Sequence, residues 1–310
     1  MTDHHRKKQH FVTVPGTTLS WPETRIFGTA PGNVSLRVTV SAGVHSREYV
    51  GIEALNRLAQ ELQPEQIRGE LRLIHAVNYS GLIARSADVC PEDGLNLNRV
   101  FPGDPAGSST ERLAAFLEQE VIARSDAIID LHSGGFCEEL LPHAYFLGTA
   151  APEVCLAAEE MARHANVPYA YRSSSTTGFY NHASVCGVPA IIIERGGSGL
   201  WSEELVCGHM EDVKNILRHL GVLADGVEPV RHGPKIVERG WFLDAPVSGC
   251  WYPAFHAGDR VQRGDKLGEI RDVFGQVLHT CTAEADGVIL YQTASLGIEA
   301  GTPMVTYGAV

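Results

Sequence analysis

Ala127-Ile128-Ile129-Asp130-Leu131-His132-Ser133-Gly134-Gly135 is the stretch on which the fold turns. Its opening is too apolar for a strand at the edge of a sheet. A strand of this kind has both faces covered, as in a parallel sheet flanked by helices. The histidine and the Ser-Gly-Gly turn that close it stand where a purely structural strand end would carry a bulky or β-branched residue.

The same alternation of short apolar runs and helical periodicity extends in both directions. Upstream, Leu36 to Val40 reads as a strand. Past His45, Ile52, Leu55, Leu58 and Leu62 fall on one helical stripe, and Leu71 to Val77 is a further strand. Thr110 to Ala123 is helical, with Leu113, Phe116 and Leu117 on one side. Downstream, a helix over Glu153 to His164 stops at Asn166-Val167-Pro168, and Ala190 to Ile193 is a buried strand. The last helix runs from Ser202, a plausible N-cap, to Leu220, with Gly221 just past its end. This pattern predicts an α/β fold, a mixed and mostly parallel sheet with helices on both faces.

Periodicity gives way to Gly, Pro and charge near Asp225 to Pro234. Beyond that point the chain is short strands separated by Gly-Asp turns, which predicts a small all-β, barrel-like C-terminal module. The expected organisation is therefore a tail with lead-in strands over 1–33, a catalytic domain over 34–225 and the β module over 226–310.

Composition narrows the function. With 310 residues, 44% hydrophobic and 20% charged, the chain can bury a large core. A net charge of -12 opposes phosphate backbones and anionic membranes, so neither nucleic acid nor membrane is an expected partner. The one basic run, His4 to His10, reads as a frayed tail with no apolar segment behind it. The longest apolar run, Val188 to Ile193, is far too short to span a bilayer. Seven cysteines without CxxC spacing argue against a disulfide framework or a thiolate zinc site and fit reduced thiols in a cytoplasm. Homo-oligomerisation stays open.

Four segments carry chemistry. In Gly43-Val44-His45-Ser46-Arg47-Glu48, an imidazole and a carboxylate lie three residues apart where a strand yields to a helix. They can converge on one point above the sheet edge. Alone the pair is weak, since an exposed helix start offers the same spacing. His132 supplies a third donor, and two histidines with one glutamate form a ligand set for catalytic zinc. Asp130, on the same strand face as His132, either orients a ligand or is a salt-bridged strand residue. Glu194 ends an apolar strand, a costly place for a carboxylate unless it acts as a general base or pairs with a cation such as Arg195. Asn98 and Arg99, in Leu95-Asn96-Leu97-Asn98-Arg99-Val100-Phe101-Pro102-Gly103, offer an amide and a guanidinium fork for a substrate carboxylate. An Asx turn beside a surface salt bridge would read the same way.

Taken in order, HxxE, LNRVFPG, DLHSGG and IIIERGG resemble the succinylglutamate desuccinylase/aspartoacylase family, a branch of the zinc carboxypeptidase-like fold. The resemblance runs from about residue 34 to 310, because the GDRVQRGDKLGEI run is similar to the small barrel that ends these proteins. It implies one Zn2+ per chain held by His45, Glu48 and His132, with Glu194 as catalytic base and Asn98 and Arg99 on the substrate carboxylate. The family's carbonyl-polarising arginine aligns with Asp88, and Arg85 is the nearest replacement. The family's other substrate-reading arginine, about ten residues before the base, has no counterpart in Gly178 to Ser184. Tyr180, Asn181 and His182 stand there instead, so N-acetylaspartate and succinylglutamate are poorly supported as substrates. The remaining histidines, His143 and His209 among them, read as structural.

The expected activity is hydrolysis of an N-acyl amino acid or related small amide to a carboxylate and a free amine. A zinc carboxypeptidase acting on a small peptide is the first alternative. A non-catalytic binding protein built around a carrier-like barrel is the second, although Lys266 lies in a Gly-Asp hairpin rather than where a carrier presents its lysine.

Overall fold

A computed structural model of the chain describes residues 6–310. The elements of the first region, in chain order, are β1 (Lys7–Thr13), β2 (Ser20–Phe27), β3 (Arg37–Ala42), α1 (Tyr49–Glu61), β4 (Glu70–Ile74), α2 (Tyr79–Ala84), α3 (Ser109–Glu120) and β5 (Ala127–His132). They continue with β6 (Glu138–Leu140), β7 (His143–Leu147), α4 (Pro152–Ala162), β8 (Tyr169–Ser173), α5 (Phe179–Val185), β9 (Ala190–Glu194), α6 (Glu203–His219) and β10 (Lys235–Val237).

Nine strands form one mixed sheet in the order β1-β2-β4-β3-β5-β9-β7-β8-β10. Its centre, β4-β3-β5-β9, is parallel, and β9 meets β7 antiparallel. Every residue of β5 is buried, as its apolar run requires. Side chains alternate between two cores. Val40, Ile129, Leu131 and Ile193 pack with α1, α4 and α6 on one face, while Ile128 and Ile192 pack with α3 and α5 on the other. Each fully buried Leu or Ile contributes roughly 1.5–3 kcal/mol.

Local signals end the helices where expected. Ser202 caps α6 by accepting from the Leu205 amide, and Gly221 takes φ +72° beyond its end. Ser108 and Glu111 form a reciprocal capping box on α3. One expectation changes at the N-terminus. Lys7 to His10 lie not in a frayed tail but in β1, paired antiparallel with β2, and His4 and His5 lie outside the described residues. Backbone pairing outweighs the charge, and basic side chains suit an edge strand.

The second region holds β11 (Gly240–Asp244), β12 (Gly249–Pro253), β13 (Arg260–Val261), β14 (Lys266–Arg271), β15 (Val277–Thr282), β16 (Gly287–Thr293), β17 (Gly297–Ile298) and β18 (Pro303–Gly308). Two open sheets result, β11-β18-β16-β13 and β15-β14-β12-β17, around Trp251, Ile270, Ile289 and Tyr307. Among the described residues they do not close into a barrel, because β11, β15 and β17 stay at sheet edges. β6 instead extends the first of these sheets by pairing with β16, which sets Leu140 opposite Tyr291. Lys266 is tied to Glu269 inside the hairpin rather than presented at its tip. No helix among the described residues is long and apolar enough to cross a membrane.

Candidate active site

Three parallel strands, β3, β5 and β9, deliver side chains to one cavity of about 740 Å³ at their C-terminal ends, where open α/β sheets bind ligands. His45 and Glu48 sit in the turn from β3 to α1, His132 ends β5, and Glu194 ends β9 opposite His132 in register.

His45 Nδ1 lies 2.7 Å from one oxygen of Glu48, and His132 Nδ1 lies 2.8 Å from the other. Ligand atoms of all three residues fall within 4.8 Å of one another. Behind them, His132 Nε2 meets Asp130 Oδ2 at 2.9 Å, Asp130 Oδ1 accepts from Ser41, and the buried His209 ring contacts the His132 carbonyl at 3.0 Å. Asp130 is therefore placed to orient the His132 ring.

These donors fit a divalent metal. With its Nε2 proton directed at Asp130, a neutral His132 turns the Nδ1 lone pair toward Glu48, an acceptor facing an acceptor. Only a proton or a cation between them relieves that contact. His45 Nε2 is buried without a partner as well. The electrostatics of the three groups say the same thing. Burial opposes charge on His132, yet Glu48 and Asp130 hold it well above its ordinary range. Burial also raises Glu48, but the two rings pull it down to about 2. The site is thus built around positive charge.

Glu194 is half-buried and pushed up to about 8, first by desolvation, with Glu48 and Glu138 reinforcing that and His132 opposing it. Arg195 does not neutralise it, since its guanidinium pairs with Asp212 at 2.7 Å. A carboxyl in this setting can exchange a proton near neutral pH.

Asn98 and Arg99 both line the cavity, on a short 3-10 turn capped by Asn96. Asn98 Oδ1 accepts from the Phe179 amide at 2.7 Å, which ties this loop to the start of α5. Gly178 makes that approach possible. It has φ +98°, and a Cβ there would lie 2.9 Å from Asn98 Oδ1. Tyr180 and Asn181 line the cavity too.

Two expected residues stand elsewhere. Arg85 is an exposed αL residue at the end of α2, and the cavity wall nearest in sequence is Asp88. The Arg85 carbonyl accepts from the Arg47 guanidinium, and Arg85 is not among the residues lining the cavity. His182 lies on the far side of α5. Its Nε2 is 2.8 Å from Glu118 and 3.5 Å from Cys186, three potential ligands in a separate cluster. Helical rotation from Tyr180 to His182 is the physical reason.

Three wall residues carried no sequence signal. Glu138 and Tyr291 arrive through the pairing of β6 with β16, and His143 stands opposite Glu194 across the β7–β9 ladder. Only strand register brings them in.

Comparison with known proteins gives a consistent picture. The succinylglutamate desuccinylase/aspartoacylase catalytic domain matches residues 35–220. N-alpha-acetyl-L-2,4-diaminobutyric acid deacetylase of Halomonas elongata is 29% identical over 285 residues, 87% of this chain and 81% of that protein. Among solved structures, a succinylglutamate desuccinylase/aspartoacylase from Rhodobacter sphaeroides superposes with a TM-score of 0.85 at 24% identity, covering 99% of this chain and 97% of that one. The product-bound ectoine utilization protein EutE (DoeB) from Ruegeria pomeroyi gives 0.87 at 24% identity, covering 98% and 95%. At that identity these likenesses carry the fold.

Proposed function

The chain belongs to the succinylglutamate desuccinylase/aspartoacylase family, and from that premise we propose that it is a zinc-dependent deacylase releasing a carboxylate and a free amine from N-acylated amino acids. The observation that carries this reading is the convergence of His45, Glu48 and His132 with a proton-exchanging Glu194 in one cavity. The name of the Halomonas relative supports an acetylated amino acid as the kind of substrate.

One bound zinc, held by His45, Glu48 and His132, would polarise the scissile carbonyl and acidify a water. Glu194 takes the water's proton at its carboxylate and returns it to the departing amine nitrogen. Arg99, with the Asn98 amide nitrogen, anchors the carboxylate of the amine half. Tyr180 borders the space beside them. Leu140, Phe242, Tyr291 and Pro303 close the remaining wall, which favours small amides over peptides.

Metal analysis of untagged protein tests the ligand assignment, done in a Cys186→Ser background so that the Glu118/His182/Cys186 cluster does not contribute. His45→Ala and His132→Ala are expected to lose the ion, and full occupancy in both would refute the assignment. Released amine from N-acetyl, N-succinyl and longer N-acyl amino acids tests the reaction.

A further inference from the structure

Outside the cavity, three side chains able to hold a metal meet between α3 and α5. His182 and Cys186 are four residues apart, on α5 and just past its end, so they share one face of the helix. Glu118 reaches them from α3. The His182 Nε2 is 2.8 Å from a Glu118 oxygen and 3.5 Å from the Cys186 sulfur, and ligand atoms of all three fall within 4.8 Å of one another. Their supports are fixed. Gly187 takes φ +91° and closes a Schellman turn, its amide bonded to the Ser184 carbonyl and the Val188 amide to the Ala183 carbonyl, which holds the backbone at Cys186. The His182 ring lies 6.0 Å from the buried Phe101 ring, which packs in turn on Phe179 at 5.5 Å.

Geometry separates three uses of this trio. A thiol nucleophile works through both ring nitrogens, one facing the sulfur and the other a carboxylate. Here sulfur and carboxylate share Nε2, so the ring cannot relay a proton between them. A plain His–Glu pair accounts for Glu118 but not for the sulfur, because Nε2 offers a single proton or a single lone pair. A cation at the common point engages imidazole, thiolate and carboxylate at once. Cys186 also caps the C-terminal end of α5, where the helix dipole favours positive charge. It is exposed, which leaves an entry path and room for water. Nitrogen and sulfur donors beside one oxygen suit a borderline-soft ion, whereas magnesium and calcium take oxygen.

We propose that Glu118, His182 and Cys186 form a second, non-catalytic site for a zinc-like divalent ion, which ties α5 to α3 with water as its fourth ligand. The Cys186 thiol gives its proton to solvent as the ion binds. The tie lies directly behind the cavity: Phe101 belongs to the loop that carries Asn98 and Arg99, and the Phe179 amide donates to Asn98. The site stands apart from the deacylase reading, since His45, Glu48 and His132 include no sulfur.

Cobalt(II) is the probe, because a thiolate bound to it gives a near-ultraviolet charge-transfer band that nitrogen and oxygen ligands do not. Untagged full-length protein, stripped with a chelator and kept reduced by a phosphine, is titrated with cobalt at mildly alkaline pH. The wild type is expected to develop the band and to take up one more ion per chain than Cys186→Ser. The band should be lost in Cys186→Ser and in His182→Ala. Thermal melts verify folding, and the exposed Cys186 decides the test by itself where His182→Ala does not fold. Absence of the band from folded wild type at saturating cobalt overturns the inference. So does a band that survives Cys186→Ser or folded His182→Ala, or an equal ion count in wild type and Cys186→Ser.

Discussion

The two walls of the cavity are built on opposite principles. On the metal-facing wall, His132, Asp130, Ser41 and His209 form a chain of contacts in which nearly every polar atom is matched, leaving His209 Nδ1 and His45 Nε2 as exceptions. Ser133 Oγ, beside His132, is a third exception there, and on the opposite wall His143 Nε2 and Asn181 Oδ1 are buried and unmatched. A matched network holds one geometry, which a metal needs. An unmatched one carries a standing cost. The difference teaches which polar atoms the chain satisfies by itself and which it leaves without a partner.

The contrast is broken most forcefully at Glu194, which touches both walls. Glu194→Gln should lower kcat by roughly 100- to 10,000-fold, the range for a lost general acid–base, with zinc content unchanged. A parallel loss of zinc would show that the residue is structural for the metal wall.

Next comes the network itself. Asp130→Asn keeps the shape but removes the charge behind His132, and metal affinity should drop about 10- to 100-fold in a chelator titration, with activity restored at high zinc. Unchanged affinity would mean that the matched wall does not hold the ion.

Gly178→Ala probes the seam between the walls. A side chain at φ +98° and ψ 161° is strained by about 1–3 kcal/mol and meets Asn98. A lower melting temperature and a raised KM together are expected, and a melt equal to wild type would contradict the seam.

Acid should unfold the protein through its neutral histidines. Burial holds His143 near 4 and His209 near 3 when folded, below the unfolded value of 6.5. Below about pH 6.5 the unfolded chain binds protons that the folded chain refuses. Stability is thus complete above that pH and falls as pH drops toward 4, by about 1.4 kcal/mol per unit for each ring. Denaturant melts from pH 7 to 4.5 read the slope, which His209→Gln should reduce.

The smallest effect is expected at Arg85. Exposed and outside the cavity, Arg85→Ala should stay within about 0.5 kcal/mol in both stability and activation free energy. A large fall in kcat would restore it as the carbonyl-polarising group.

Much of this was legible in the sequence for a definite reason. Apolar run length marked β5 and β9 as central, helical stripes marked α1, α3 and α6, and the Ser202 and Gly221 signals act within a few residues of chain. His45, Glu48, His132 and Glu194 were readable because each sits where a regular element ends, and a polar group there is conspicuous. Strand alternation put Asp130 on the same face as His132, and the structure supplied the contact between them. Local periodicity also misled. It could not tell that Lys7 to His10 would find β2 as a partner, nor that the C-terminal strands would remain two open sheets, because pairing depends on residues far apart in the chain.

His143 shows the limit most plainly. It has no neighbour at ligand spacing, and only the β7–β9 register sets it opposite Glu194. Glu138 and Tyr291 likewise enter through a strand borrowed from one region by the other. Residue order thus determined the elements and pointed to the residues proposed as metal donors and base, since element ends obey short-range steric and hydrogen-bonding rules. The tertiary structure decided the substrate wall, because whether a buried polar atom is matched depends on everything packed around it, and no local rule records that.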